Sequence, residues 1–150
     1  MSNELNNNSS NTATPPKFRD KELELGQCFL AYVNFREPLE HQGKNRPIVI
    51  FRDMEENKLY AFPVTSQIDT PFNKKYGYKV KDLDVAGFSK ESVIQCHSSN
   101  LKEIKPENIK RQLGNLSERD VTGLLIKSLQ VRQLEKRQEM QRSYRNELER

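Results

Sequence analysis

Two apolar runs separated by a polar turn, Pro47-Ile48-Val49-Ile50-Phe51 and Leu59-Tyr60-Ala61-Phe62-Pro63-Val64-Thr65, decide how this chain reads. Both are short and rich in β-branched and aromatic residues, which suits a pleated, largely buried strand better than a helix. Glu55-Glu56-Asn57-Lys58 between them has hairpin-turn composition. Pro47 stands at a first strand position, where its missing N–H is tolerated, and Pro63 predicts an edge or a bulge late in the other strand.

Working outward, Cys28-Phe29-Leu30-Ala31-Tyr32-Val33-Asn34-Phe35 reads as a preceding strand, joined by a polar loop from Arg36 to Lys44 that holds Pro38 and Gly43. Downstream, Ser66 to Lys75 reads as a long polar loop. Two short strands follow, around Tyr76 to Val80 and Ser92 to Cys96, with Asp82 to Lys90 between them and a further candidate at Leu101 to Ile104. Short strands at close spacing predict a mainly β protein with some helix (α+β), a small antiparallel barrel or sandwich and not a βαβ fold.

The ends differ from this middle. Residues 1–16 are dominated by Asn, Ser and Thr and close on Pro15-Pro16, a composition that predicts a disordered tail. Lys17 to Leu25 allows a short helical turn before Gly26. Ser117-Glu118-Arg119-Asp120 has capping-box spacing and precedes an apolar set at Val121, Leu124, Leu125, Ser128 and Leu129, which predicts a helix with one face to bury. From residue 131 to 150 the pattern thins to Lys, Arg, Glu and Gln, with Met140, Tyr144 and Leu148 at four-residue spacing. That stretch is either a solvated continuation of the helix or a surface for a partner. The expected organisation is thus a tail over 1–16, a domain over 17–130 and a polar, helical extension over 131–150.

Composition bounds the function. A chain of 150 residues fits one domain, and 34% hydrophobic against 31% charged residues leaves part of it outside any core. A formal charge of +4 suits a polyanionic partner without requiring one. Cys28 and Cys96 are too few for a disulfide framework or a cysteine zinc site and read as reduced, core-adjacent thiols. No apolar run approaches the ~20 residues of a membrane span, and the Asn-rich start lacks a secretory signal, so a cytoplasmic protein is expected.

Several chemistries lack their residues. His41 and His97 are the only histidines and lie far apart. Asp82 and Asp84, flanking Leu83, read as a solvated turn, so no metal or other cofactor is expected. Gly43-Lys44 lacks the leading glycine and the following Ser or Thr of a P-loop, and no serine nucleophile elbow occurs. Polar residues at strand ends remain.

Three segments, taken together, are more specific than any one of them: His41-Gln42-Gly43-Lys44-Asn45-Arg46-Pro47-Ile48-Val49-Ile50, then Phe62-Pro63-Val64-Thr65-Ser66-Gln67, then Gly87-Phe88 leading to Ser92-Val93-Ile94. In order and spacing they resemble the MazF/PemK/Kid family of toxins over roughly residues 25–129. Gly26 near the first strand and Leu116-Ser117 before the last helix fit the same register. The resemblance implies a small SH3-like antiparallel β-barrel of MazF/PemK/CcdB type with a C-terminal helix. It also implies a homodimer that cuts single-stranded mRNA without metal and is restrained by a cognate antitoxin protein. In that chemistry the 2′-hydroxyl attacks the adjacent phosphorus, leaving a 2′,3′-cyclic phosphate and a 5′-hydroxyl. It calls for a base, an acid and donors that hold the added negative charge.

Arg46 matches the family's Arg-Pro arginine, whose planar fork grips two phosphoryl oxygens; the plain alternative is an arginine pairing with a nearby carboxylate. Thr65 matches the family's threonine and Ser66 follows it. The chain departs elsewhere. Gln27 stands where some members carry an acid, and Val93-Ile94-Gln95-Cys96-His97 replaces a Val-x-Arg-Cys-Asp stretch, so that Gln95 stands for arginine and His97 for aspartate. His97 is then either a substitute acid or base or a surface histidine. Arg46, Thr65, Ser66 and His97 form the candidate catalytic set. His41, Lys44, Gln67, Phe72, Lys74, Lys75 and Gln95 are candidate RNA contacts, with Phe72 and Tyr76 able to stack bases. The competing reading is a weakened barrel that binds RNA or protein without cutting. A third takes residues 116–150 as an assembly element.

Overall fold

The computed structural model describes residues 18–33, 44–53, 55 and 58–148. The tail expected over 1–16 and the site candidate His41 lie outside the described residues. Seven strands form one sheet, which we number β1 (Gln27–Val33), β2 (Lys44–Asp53), β3 (Lys58–Thr65), β4 (Gly77–Lys79), β5 (Val93–Gln95), β6 (Lys102–Glu103) and β7 (Ile109–Asn115). Among the described residues three α-helices accompany them, α1 (Pro71–Tyr76), α2 (Leu83–Ala86) and α3 (Glu118–Leu148). No helix among the described residues is long and apolar enough to cross a membrane.

All pairings are antiparallel, and the strand order is β4-β5-β3-β2-β1-β7, with β6 also on β3. The apolar runs around the hairpin are its centre. Strand alternation sends Val49 and Phe62 to one side and Ile48, Ile50 and Ala61 to the other, and both sides are buried. One core forms under α3 with Cys28, Ile94, Leu124 and Val131. The other is closed by Leu23, Ile104 and Ile109. Each such side chain contributes about 1.5–3 kcal/mol on full burial. Arg52 straps the N-terminal turn to β2, donating to the Asp20 carbonyl at 2.6 Å and to the Leu23 carbonyl at 3.1 Å.

The antiparallel β-rich fold with a C-terminal helix is as the sequence predicts, but the sheet does not close into a barrel. β4 and β7 end the hydrogen-bonded path without meeting. α2 lies on β7 instead, so closely that a Cβ on Gly87 (φ 82°) would come 2.1 Å from the Leu113 carbonyl oxygen. Pro63 marks neither an edge nor a bulge. It falls where β3 changes neighbours, between its pairs with β6 (Tyr60, Ala61) and with β5 (Val64, Thr65).

Two loops of the sequence reading hold short helices. Within Ser66 to Lys75, Thr70 caps α1 by accepting from the Asn73 N–H at 3.2 Å, with Pro71 at the first turn, a signal that polarity obscures. Asp82 to Lys90 holds α2. Nor does β7 stand out, because four of its seven residues are exposed. α3 starts as its capping residue predicts, with Ser117 Oγ accepting from the Asp120 N–H at 3.3 Å. The Asp120 side chain is fully buried and accepts from Tyr78 Oη at 2.6 Å and from the N–H groups of Lys81 and Asp82. Leu124 and Ser128 are buried as expected, but Leu125 and Leu129 are exposed, and the inward face continues to Val131.

Candidate active site

The site begins where the central hairpin comes apart. β2 and β3 pair from Asp53↔Lys58 to Ile48↔Pro63. Beyond that point β2 runs back to Lys44 against β1, while β3 runs on to Thr65 against β5. Arg46 lies two residues before Ile48 on β2 and Thr65 two residues after Pro63 on β3, and both line the space between the parting strands. A cleft of about 450 Å³ opens at this divergence. Its apolar lining is Leu30, Pro47, Val64, Phe88 and Leu113.

The polar lining is cationic. Arg46, Lys90 and Arg111 line the cleft with the hydroxyl residues Thr65, Ser66, Ser89 and Ser92, and no carboxylate lines it among the described residues. The Nε of Arg46 is buried and has no hydrogen-bond partner among the described residues. An unmet buried donor of this kind costs about 1–3 kcal/mol, which an anionic oxygen would relieve. Thr65 Oγ1 accepts from the Gln67 N–H at 3.1 Å, which leaves its own O–H free to donate.

The loop after Thr65 is held from behind. Buried Asn73 donates to the Gln67 carbonyl at 2.7 Å and accepts from Gln95 Nε2 at 3.0 Å. Gln95 therefore braces the loop. Lys44 is exposed at the start of β2, and Lys74 lies on α1, 4.0 Å from Asp69.

His97 belongs to a second cluster. Its ring lies 4.7 Å from that of Tyr76 and 5.5 Å from that of half-exposed Phe72, and Lys75 Nζ sits 5.3 Å above Tyr76. His97 Nδ1 accepts from the Ser99 N–H at 3.2 Å, and its Nε2 lies 4.0 Å from Glu135 of α3. Glu135 also accepts from the Ser98 N–H and hydroxyl. His97 does not line the Arg46 cleft.

The structure thus gathers Arg46, Thr65 and Ser66, and groups His97, Phe72 and Lys75 elsewhere. Sequence reasoning missed Lys90 and Arg111. Arg111 sits on β7, whose only cue is a weak alternation of Ile109, Arg111 and Leu113. Cys28 and Cys96 are poor nucleophiles, since burial pushes both thiols up to about 12. Among the described residues no group of three or more His, Cys, Asp or Glu is placed to hold a metal ion.

No protein-family model matches the chain, and no curated protein does. Among solved structures it is similar to the Mycobacterium tuberculosis toxin MazF-mt6, at 17% identity and a TM-score of 0.48, over 70% of this chain and 94% of that one.

Proposed function

We propose that the chain is a sequence-selective endoribonuclease that cuts single-stranded RNA by internal 2′-hydroxyl attack without a metal, as the toxin of a toxin–antitoxin pair. The observation that carries this reading is the cationic, hydroxyl-lined cleft into which the Arg46-Pro47 and Thr65-Ser66 segments converge. Arg46, with its Nε unmet, grips the non-bridging oxygens of the scissile phosphate, and Arg111 and Lys90 oppose the charge that builds as phosphorus gains its fifth oxygen. The free O–H of Thr65 orients the reacting group. The 2′ oxygen bonds to phosphorus, the bond to the 5′ oxygen breaks, and the proton lost from the 2′-hydroxyl is balanced by one gained at the 5′ oxygen. With no carboxylate or imidazole in the described lining, solvent in the open cleft carries both protons. The Phe72–Tyr76–His97 cluster stacks a base further along the strand. The antitoxin restrains the enzyme by covering the same cations with acidic residues.

Incubating the protein with unstructured RNA in EDTA tests this. Fragments with 5′-hydroxyl and 2′,3′-cyclic phosphate ends are expected, with cleavage falling about 10²–10³-fold in Arg46→Ala, the size of one lost oxyanion donor. Gln27, Gln95 and a described lining without carboxylate or imidazole favour one other reading, a domain of this fold that binds RNA without cutting. Intact RNA that shifts on a gel would establish it.

A further inference from the structure

Tyr32 is 42% exposed, and it is the only large apolar side chain that a described strand leaves open to solvent. Strand alternation explains where it points. Phe29, Ala31 and Val33 of β1 turn into the core closed by Leu23, Ile104 and Ile109, so Leu30 and Tyr32 share the opposite face. Leu30 lines the cleft, and Tyr32 stands two residues, about 7 Å, further along the strand. β7 supplies the second part. Among the described residues it pairs only with β1, and the register slips between Leu30↔Arg111 and Ala31↔Ile109, which makes Lys110 the extra residue of a bulge. In a regular strand Lys110 and Arg111 would point to opposite faces. The bulge re-aims Lys110, as bulges beside active sites do, and brings its Nζ to 6.0 Å from the centre of the Tyr32 ring. Arg111 lines the cleft on that same face. Two neighbouring cations thus serve one surface.

We propose that Tyr32 and Lys110 form a nucleotide subsite on the rim of the cleft, where Tyr32 stacks the base and Lys110 meets the phosphate of a nucleotide beside the one held by Arg46. The inference rests on the reading of the cleft as an RNA site and extends it in a definite direction. An exposed aromatic ring next to an ammonium, beside a lining that holds Arg46, Lys90 and Arg111, suits a ligand with a π-face and an anionic backbone. In the strand order Arg46 of β2 lies between β1, which carries Tyr32, and β5, after which the Phe72–Tyr76–His97 cluster forms. The bound strand therefore crosses the sheet from β5 to β1, with an aromatic group on each side of the reacting phosphate. Stacking accepts any base, but a purine offers more surface than a pyrimidine, so Tyr32 biases its position toward purines.

Binding of the full chain to two short probes tests the subsite: an oligoadenylate with 2′-O-methyl groups, which cannot be cut by internal attack, and a base-free sugar–phosphate oligomer of the same length. Tyr32→Ala and Tyr32→Leu should each weaken oligoadenylate about 10-fold, and Tyr32→Phe less than about twofold, with no change for the base-free oligomer. Lys110→Ala should weaken both probes and lower the salt slope by about one charge. Unchanged oligoadenylate binding in Tyr32→Ala, equal losses on both probes, or the parent's salt slope in Lys110→Ala would each overturn the subsite and leave the cleft reading standing. A parent that binds neither probe would overturn both. A parent that binds but never cuts unmodified RNA would overturn the nuclease reading alone, and the subsite would stand on the binding losses.

Discussion

Lysine in place of Arg46 would keep the charge and lose the planar fork, so the two can be separated. If the cleft holds a phosphodiester bidentately, Arg46→Lys should lose at least 10-fold in cleavage while the salt dependence of RNA binding stays nearly unchanged. Arg111→Ala should lower the salt slope of binding by about one charge and slow cleavage, with the unfolding midpoint unmoved because its side chain is exposed. Equal effects of Lys and Ala at position 46 would argue against the fork. A second residue-scale prediction concerns the buried thiols. With burial holding Cys28 and Cys96 up to about 12, neither should react with iodoacetamide at pH 8 until the chain is unfolded, when both should. Fast labelling of the native protein would contradict their placement. Arg46 and Thr65 were legible because each is marked by its immediate neighbours in sequence. Arg111 was not, because what makes it notable is the strand that β1 happens to hold beside it.

At the scale of elements, α3 is latched to the end of β4 by a polar network whose pH dependence has a definite sign. Hydrogen bonds from Arg119, at 2.8 Å to each oxygen, and from Ser117 lower Asp82 from 3.8 to about 2. A depressed carboxyl contributes stability that is complete above its unfolded value and lost as pH falls through the folded one. The latch should therefore weaken between pH 4 and pH 2, and Asp82→Asn should flatten the stability profile in that window. Tyr78 runs the other way. Burial first, then its bond to Asp120, raises its phenol, so its contribution holds below the ordinary phenol range and fades as pH rises above it. Tyr78→Phe should cost about 1–3 kcal/mol in urea unfolding by removing a donor from a buried carboxylate. A variant as stable as the parent would mean that backbone donors alone suffice. The start of α3 was legible from Ser117, whereas the burial of Asp120 was not, since local sequence shows a capping-box spacing and not the turn after β4 that uses it. The inward face was misjudged at Leu129 for a related reason: apolar residues lie on two sides of α3, and periodicity alone does not say which side meets the sheet.

For the whole molecule, the central hairpin does two jobs at opposite ends. Arg46 faces the cleft near one end of β2, and Arg52, about 20 Å along the strand at about 3.3 Å per residue, lines a groove beside α3. The cleft and the groove share no lining residue, although α2, which covers β7 near the cleft, and α3 pack on the same core. Separate surfaces imply separable effects. Leu129→Glu should leave the cleavage rate per chain within about twofold, since an exposed residue at that distance shares no partner with the cleft. Arg46→Ala should do the reverse, lowering cleavage about 10²–10³-fold with the folded helix content unchanged in far-UV circular dichroism. A cleavage rate that fell sharply in Leu129→Glu would mean instead that the outer face of α3 takes part in holding the RNA.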